Sequence, residues 1–137
     1  MIHEKSCGAV IYCETDESRM YLVESMLKGH NSLCKGHVEE NETEYETAAR
    51  EILEETNLKI YFVDGFRECI EYSPYSDCQK DVVFFLARAE SMNISAQPEE
   101  VSSISWITFE NALVTLTYNS DKEVLRKAEN FLNHHTI

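Results

Sequence analysis

The chain has 137 residues, of which 43% are hydrophobic and 27% charged, the composition of one globular domain with a real core and not of a disordered chain. Its formal net charge is −13, from 25 acids against 12 lysines and arginines, which argues against binding long nucleic acid, a task that needs a basic surface. The longest apolar run, Val82 to Ala87, is too short to span a bilayer, so no membrane partner is expected.

The opening "MIHEKSCGAV" has no basic segment followed by a long apolar stretch, so no secretory signal is expected. Five cysteines, odd in number and scattered, show no metal-ligand spacing and read as reduced thiols in a cytoplasm. Cys7, Cys13 and Cys69 fall in strand-like segments and are expected as small core residues. With four glycines, two prolines, no repeat and no linker, residues 1–137 read as a single domain. A monomer or weak dimer is expected.

In chain order, "CGAVIYC" (7–13) and "MYLVESM" (20–26) are strand candidates, with "ETDES" as a hairpin connection. "NSLCKGHVEENE" (31–42) shows no period and reads as a loop. Thr43 with Glu46 fits a capping box. Tyr45, Ala48, Ala49, Ile52 and Leu53 then recur at helical spacing, and the helix ends near Thr56 and Asn57. Residues 63–72 and 80–89 read as strands joined by a polar loop with Pro74, and 104–109 as a further strand carrying Trp106 as a core residue. The last helix spans about Asp121 to Asn133, with Val124, Leu125, Ala128, Phe131 and Leu132 on one face. His134 and His135 read as tail. Strands, a helix, more strands and a helix predict an α+β fold, a mixed sheet between helices.

Eight of the 25 acids lie between Glu39 and Glu55. Glu39, Glu40 and Glu44 read as a solvated face. Glu51, Glu54 and Glu55 differ. Positions i, i+3 and i+4 share a helix face, so these carboxylates project together, on a side expected to lie away from Ala48 and Ile52. Like charges at that spacing weaken a helix by a few tenths of a kcal/mol per pair. The usual i+4 lysines are missing, and Arg50, able to pair with Glu46 or Glu54, is the near cation. Converging carboxylates without cation partners suit a hard divalent ion such as Mg²⁺, which takes oxygen ligands and bridges protein carboxylates to phosphates.

Gly36, five residues, Glu42, seven residues, then Arg50-Glu51-Ile52-Leu53-Glu54-Glu55-Thr56-Asn57-Leu58 resembles the Nudix box. Every defining position matches except the late Gly, here Asn57. Asn is the residue that best replaces Gly at a left-handed helix C-cap. The resemblance implies a Nudix-type α/β/α sandwich that hydrolyses a nucleoside diphosphate linked to another group. It also implies Mg²⁺ or Mn²⁺ on Glu51, Glu54 and Glu55, with Arg50 orienting them by salt bridge and Glu42 supporting the loop or an additional metal.

"KGHVE" (35–39), opening the box, resembles the asymmetric diadenosine tetraphosphate hydrolases. "SCGAVIY", "GFRECIEY" (65–72), "KDVVFFLA" (80–87) and "EEVSSISW" (99–106) fit that subfamily in order. The resemblance implies base stacking on Tyr72, with Tyr118 as a candidate second aromatic. It implies phosphate contacts from Lys35, His37 and Lys80, and a further metal ligand or base at Glu100. The subfamily's Trp and Pro before "KGH" are Asn31 and Cys34 here. The expected reaction is Mg-dependent attack of water on a phosphate of diadenosine tetraphosphate, giving ATP and AMP. Either a box glutamate, such as Glu55 (with Glu54 beside it as a further catalytic candidate), or Glu100 would act as general base. Alternatives are a Nudix hydrolase of a nucleoside triphosphate, a nucleotide sugar or an RNA 5′ end, and a non-catalytic nucleotide-sensing domain.

Overall fold

The computed structural model describes residues 1–95 and 101–134. Within them the chain forms one eight-stranded mixed sheet and three helices. The strands are β1 (Ile2–Glu14), β2 (Arg19–Met26), β3 (Asn31–Ser32), β4 (Cys34–His37), β5 (Ile60–Phe62), β6 (Glu68–Tyr72), β7 (Cys78–Ala89) and β8 (Val101–Thr108). The helices are α1 (Glu44–Thr56), α2 (Phe109–Thr115) and α3 (Asn119–His134). Among the described residues, no helix is long and apolar enough to cross a membrane.

The central pair is parallel, β1 against β7, in register from Ile2 opposite Cys78 to Tyr12 opposite Arg88. Each of these long strands has two partners along its outer edge. β1 pairs with β4 through Ser6–Ala9 and with β2 through Tyr12–Glu14. β7 pairs with β6 through Lys80–Phe84 and with β5 through Ala87–Ala89. β2 pairs antiparallel with β8 from Met20 to Met26 and with the short β3 at Glu24 and Ser25. The acidic helix α1 packs over the β1–β4 part of the sheet.

Helices cover both faces, so the central strands bury both side-chain rows and read as unbroken apolar runs. Val10, Tyr21, Val23, Phe84 and Leu86 pack on one face with Val124, Leu125 and Ala128 of α3. Cys7, Ala9, Ile11, Leu22 and Phe85 pack on the other with Ala48 and Ile52 of α1.

α1 starts at the expected cap: the Glu46 N–H donates to Thr43 Oγ1 at 3.1 Å and the Thr43 N–H to Glu46 Oε1 at 2.8 Å. It ends on Asn57 in the left-handed region, with φ 54°, its N–H donating to the Leu53 carbonyl. The substitution of Asn for Gly therefore keeps the cap.

Several expectations are corrected. The segment 31–42 contains β3 and β4, short edge pieces without enough residues to show a period. Of the strand expected over 63–72 only Glu68–Tyr72 forms one, β6; β5 lies before it at Ile60–Phe62, and the turn between them at Gly65 (φ 94°) buries Phe66. Tyr45, Ala49 and Leu53 lie on the exposed side of α1, while Thr47, Glu55 and Thr56 are buried with Ala48 and Ile52. Cys7 and Cys13 are buried as expected, but Cys69 is exposed on β6. Trp106 is half-buried and donates its indole N–H to the Met92 carbonyl at 3.0 Å. Glu44 is not merely solvated: Lys5 reaches it at 2.6 Å and Arg67 at 2.8 Å.

Candidate active site

The acidic site is built where α1 crosses β4. β4 can approach because Gly8 and Gly36 lack side chains. A Cβ on Gly8 would collide with the Cys34 carbonyl and the Lys35 backbone. A Cβ on Gly36 would occupy the place of the Glu51 carboxyl group.

Arg50 organises the carboxylates. Its Nε donates to Glu42 Oε2 at 2.6 Å, and one terminal nitrogen donates to Glu42 Oε1 at 3.0 Å and to the His37 carbonyl at 2.8 Å. The other terminal nitrogen donates to Glu51 at 2.8 Å and approaches Glu54 at 3.3 Å and Glu39 at 3.5 Å. The partner expected at Glu46 is instead Glu42, because Glu46 is engaged in the helix cap. The Arg50 hydrogen bonds, and next the Glu39 N–H, hold the Glu42 carboxyl down at about 2. One guanidinium thus faces Glu39, Glu42, Glu51 and Glu54, leaving the cluster strongly negative.

The box glutamates sit at graded depths. Glu54 is open to solvent, Glu51 is mostly covered, and Glu55 is only 7% exposed. Glu55 therefore lies on the buried side of the helix, not beside a solvated acidic stripe. Behind it are Glu24 on β2, 1% exposed, and Cys34 on β4, whose Sγ is 3.7 Å from Glu55 Oε2. Glu24 Oε2 is buried with no hydrogen-bond partner among the described residues. Burial pushes the Glu55 carboxyl far above the ordinary carboxylate range, and the adjacent Glu24 pushes it further. Burial raises Glu24 as well.

Two cavities meet beside Lys35 and Lys80, and the smaller reaches this helix. The smaller, about 530 Å³, is lined by Glu51, Glu54, Glu55, Lys35, His37 and Lys80 among others. The larger, about 840 Å³, shares Met26, Lys35 and Lys80 with it and extends past Ile70, Tyr72, Pro74 and Tyr118. The half-buried Lys80 ammonium is lowered by desolvation and then by the charge of Lys35. Tyr72 and Tyr118 are 42% and 53% exposed, so both rings have free surface along the cavity. Tyr118 also leans on His30, at 5.8 Å between centroids.

The structure thus gathers Glu51, Glu54, Glu55, Arg50, Lys35, His37 and Lys80 at one place and sets Tyr72 and Tyr118 in the adjoining cavity. His37 is exposed at the rim. Glu100 lies outside the described residues. Sequence reasoning missed Glu24, Cys34 and Asp121. Asp121, 4% exposed, lines the larger cavity, its carboxyl raised by burial and partly offset by Lys35. Glu24 carried one legible signal, a lone acid inside the apolar run "YLVE".

This fold and box define a class. The NUDIX domain family model matches residues 3–128, and the chain belongs to that family. Within it, the chain is similar to asymmetrical bis(5′-nucleosyl)-tetraphosphatases. It is 29% identical to the Mus musculus protein of that name over 102 residues, covering 72% of this chain and 69% of that protein. The C. elegans Ap4A hydrolase, solved as a binary complex, superposes with a TM-score of 0.88 at 26% identity, covering 96% of this chain and 99% of that one. The NUDIX domain of Shewanella oneidensis NrtR, solved with ADP ribose, shares the fold at 16% identity and a TM-score of 0.79, covering 96% of this chain and 90% of that one.

Proposed function

We propose that this chain, acting as a single Nudix domain over residues 1–137, is a Mg²⁺- or Mn²⁺-dependent hydrolase of dinucleoside polyphosphates that cleaves diadenosine tetraphosphate asymmetrically to ATP and AMP. The observation that carries the reading is the junction of the two cavities. An acidic cavity suited to a metal-bound phosphate opens, past Lys35 and Lys80, into a larger one with two exposed tyrosine faces. A short nucleotide would fill one cavity; a dinucleotide joined by a polyphosphate fills both.

The donor chemistry fits the ion. Glu51, Glu54 and Glu55 offer hard carboxylate oxygens, a single guanidinium cannot neutralise the cluster, and Mg²⁺ prefers such ligands while keeping waters. When bound there, the ion would supply positive charge to phosphate oxygens and make a water acidic enough to act as nucleophile. The other tasks fall to the chain. Arg50 holds Glu51 and Glu54 in place from one side and the His37 carbonyl from the other. Lys35 and Lys80 orient the phosphate chain and offset its charge, with His37 at the rim. Tyr72 and Tyr118 stack the bases, each contact contributing about 1–3 kcal/mol. The proton of the attacking water passes to Glu55 or to Glu100, and Glu55→Gln and Glu100→Gln pH–rate profiles identify which by the limb each removes.

A substrate panel with Mg²⁺, with products resolved by chromatography, tests the reading. Equimolar ATP and AMP from diadenosine tetraphosphate support it. Two molecules of ADP, or faster turnover of a nucleoside triphosphate, a nucleotide sugar or an RNA 5′ end, overturn the substrate assignment. Tight binding without any product makes the chain a nucleotide sensor.

A further inference from the structure

Behind the box glutamates lie Glu24 and Cys34, which the proposed reaction leaves without a task, gathered around the Glu55 carboxyl group. Glu24, Cys34 and Glu55 each place a donor atom within 4.8 Å of the others, and all three are buried. They come from three elements, β2, β4 and α1, so no local sequence pattern assembles them. Glu24 Oε2 has no hydrogen-bond partner among the described residues. A buried carboxylate oxygen left without a partner is destabilising, and a second carboxylate beside it adds to the cost. Packing does not explain the pair: an apolar residue at position 24 would suit the surrounding core better.

We infer that Glu24, Cys34 and Glu55 form an inner metal position that takes a borderline divalent cation of the Co²⁺ or Zn²⁺ class in preference to Mg²⁺. The donor set argues for the ion's identity. Two carboxylate oxygens and a thiolate suit a borderline ion in tetrahedral coordination, whereas Mg²⁺ avoids sulfur. The spacing argues for capacity. Donors on such an ion at about 2.0–2.3 Å stand roughly 3.5 Å apart, and Cys34 Sγ and Glu55 Oε2 are already 3.7 Å apart. Entry is available through Glu55, which lines the 530 Å³ cavity while Glu24 and Cys34 stand behind it. Loading releases the Cys34 thiol proton, and any proton held between Glu24 and Glu55, to solvent as the sulfur–metal and oxygen–metal bonds form. Glu55 then belongs to both positions, so a thiophilic ion seated within sets how the outer carboxylates meet a phosphate. This placement rests on the box site only through Glu55.

Co²⁺ titration of the metal-free chain in a thiol-free reductant tests the inference without any turnover. The wild type should develop a near-ultraviolet thiolate-to-cobalt charge-transfer band that saturates at one equivalent and persists under excess Mg²⁺. Cys34→Ser should abolish the band, and Cys69→Ser, which removes the exposed thiol, should leave it. Glu24→Gln keeps the shape of the side chain and should weaken Co²⁺ binding at least tenfold, which preserves the test if Cys34→Ser folds poorly. Glu54→Gln should retain the band while losing Mg²⁺-dependent hydrolysis, so failure of the outer site is distinguishable from failure of the inner one. No band in the wild type, a band unchanged in Cys34→Ser, or unchanged affinity in Glu24→Gln would overturn the inference; a proton shared between the two carboxyl groups would then account for the pair.

Discussion

Gly36→Ala separates stability from chemistry at this site. A methyl group there would take the space of the Glu51 carboxyl group. The obstacle is the far end of a flexible side chain, so Glu51 can swing away while the backbone stays put. To reach ordinary van der Waals separation, the carboxylate must retreat by more than about 1 Å, breaking its 2.8 Å bond to Arg50. Misplacing a reacting group by that much costs on the order of 100-fold in rate, about 2.7 kcal/mol of barrier. The fold should lose less than about 1 kcal/mol, a shift of a few degrees in Tm. Gly8→Ala is the contrast, because its methyl group meets the Cys34 carbonyl and the Lys35 backbone. Overpacking against backbone should cost about 1–3 kcal/mol or more and lower Tm by roughly 5–15 °C. The assays are kcat with Mg²⁺ and thermal unfolding for both variants. Full activity in Gly36→Ala, or a Tm loss matching that of Gly8→Ala, would refute the reasoning.

Arg50→Lys keeps the charge but not the fork that reaches Glu42, Glu51 and the His37 carbonyl together, so kcat should fall at least tenfold with little change in KM, read by steady-state kinetics. Tyr72→Ala should raise KM by roughly 5- to 100-fold and spare kcat, as expected when a stacking contact of about 1–3 kcal/mol is lost. Glu24→Gln should stabilise the EDTA-treated protein by about 1–3 kcal/mol, read as a higher Tm, because the crowding of two buried carboxyl groups is relieved. The Glu44 carboxyl is held at about 2 by Arg67 and then Lys5, below its unfolded value. Its contribution is therefore present above about pH 4.5 and lost as pH falls toward 2, and Arg67→Ala should flatten the acid limb of an unfolding-versus-pH curve.

The box helix was the most legible part of the chain. Its cap, its left-handed end at Asn57 and its i, i+3, i+4 glutamates follow from short-range rules that tertiary packing left intact. Its buried face was misjudged for a physical reason. The wheel ranks residues by hydrophobicity, which favours Tyr45 and Leu53, but the sheet is met by Thr47, Ile52, Glu55 and Thr56. Tyr45 instead lies at the margin, exposed yet stacked on Phe85 at 3.9 Å between centroids. Glu24 was hidden because β2 buries Tyr21, Leu22, Val23 and Glu24 in succession, so alternation gave no warning of which face the acid takes. β5 and β4 are too short for a period, and the first residues of β1, "IHEK", are mostly polar and mostly exposed, so nothing apolar marks their pairing with Cys78–Asp81 of β7. α2 was missed because its seven residues bury only Ala112.

The proposed reaction requires a divalent ion seated among Glu51, Glu54 and Glu55 and gripping phosphate. Mn²⁺ binding followed by electron paramagnetic resonance, with and without a non-hydrolysable dinucleoside polyphosphate, measures this directly. Saturable binding that tightens with the nucleotide, and falls at least tenfold in Glu51→Gln and Glu54→Gln, is the predicted result; equal Mn²⁺ affinity in both variants and the wild type would contradict it.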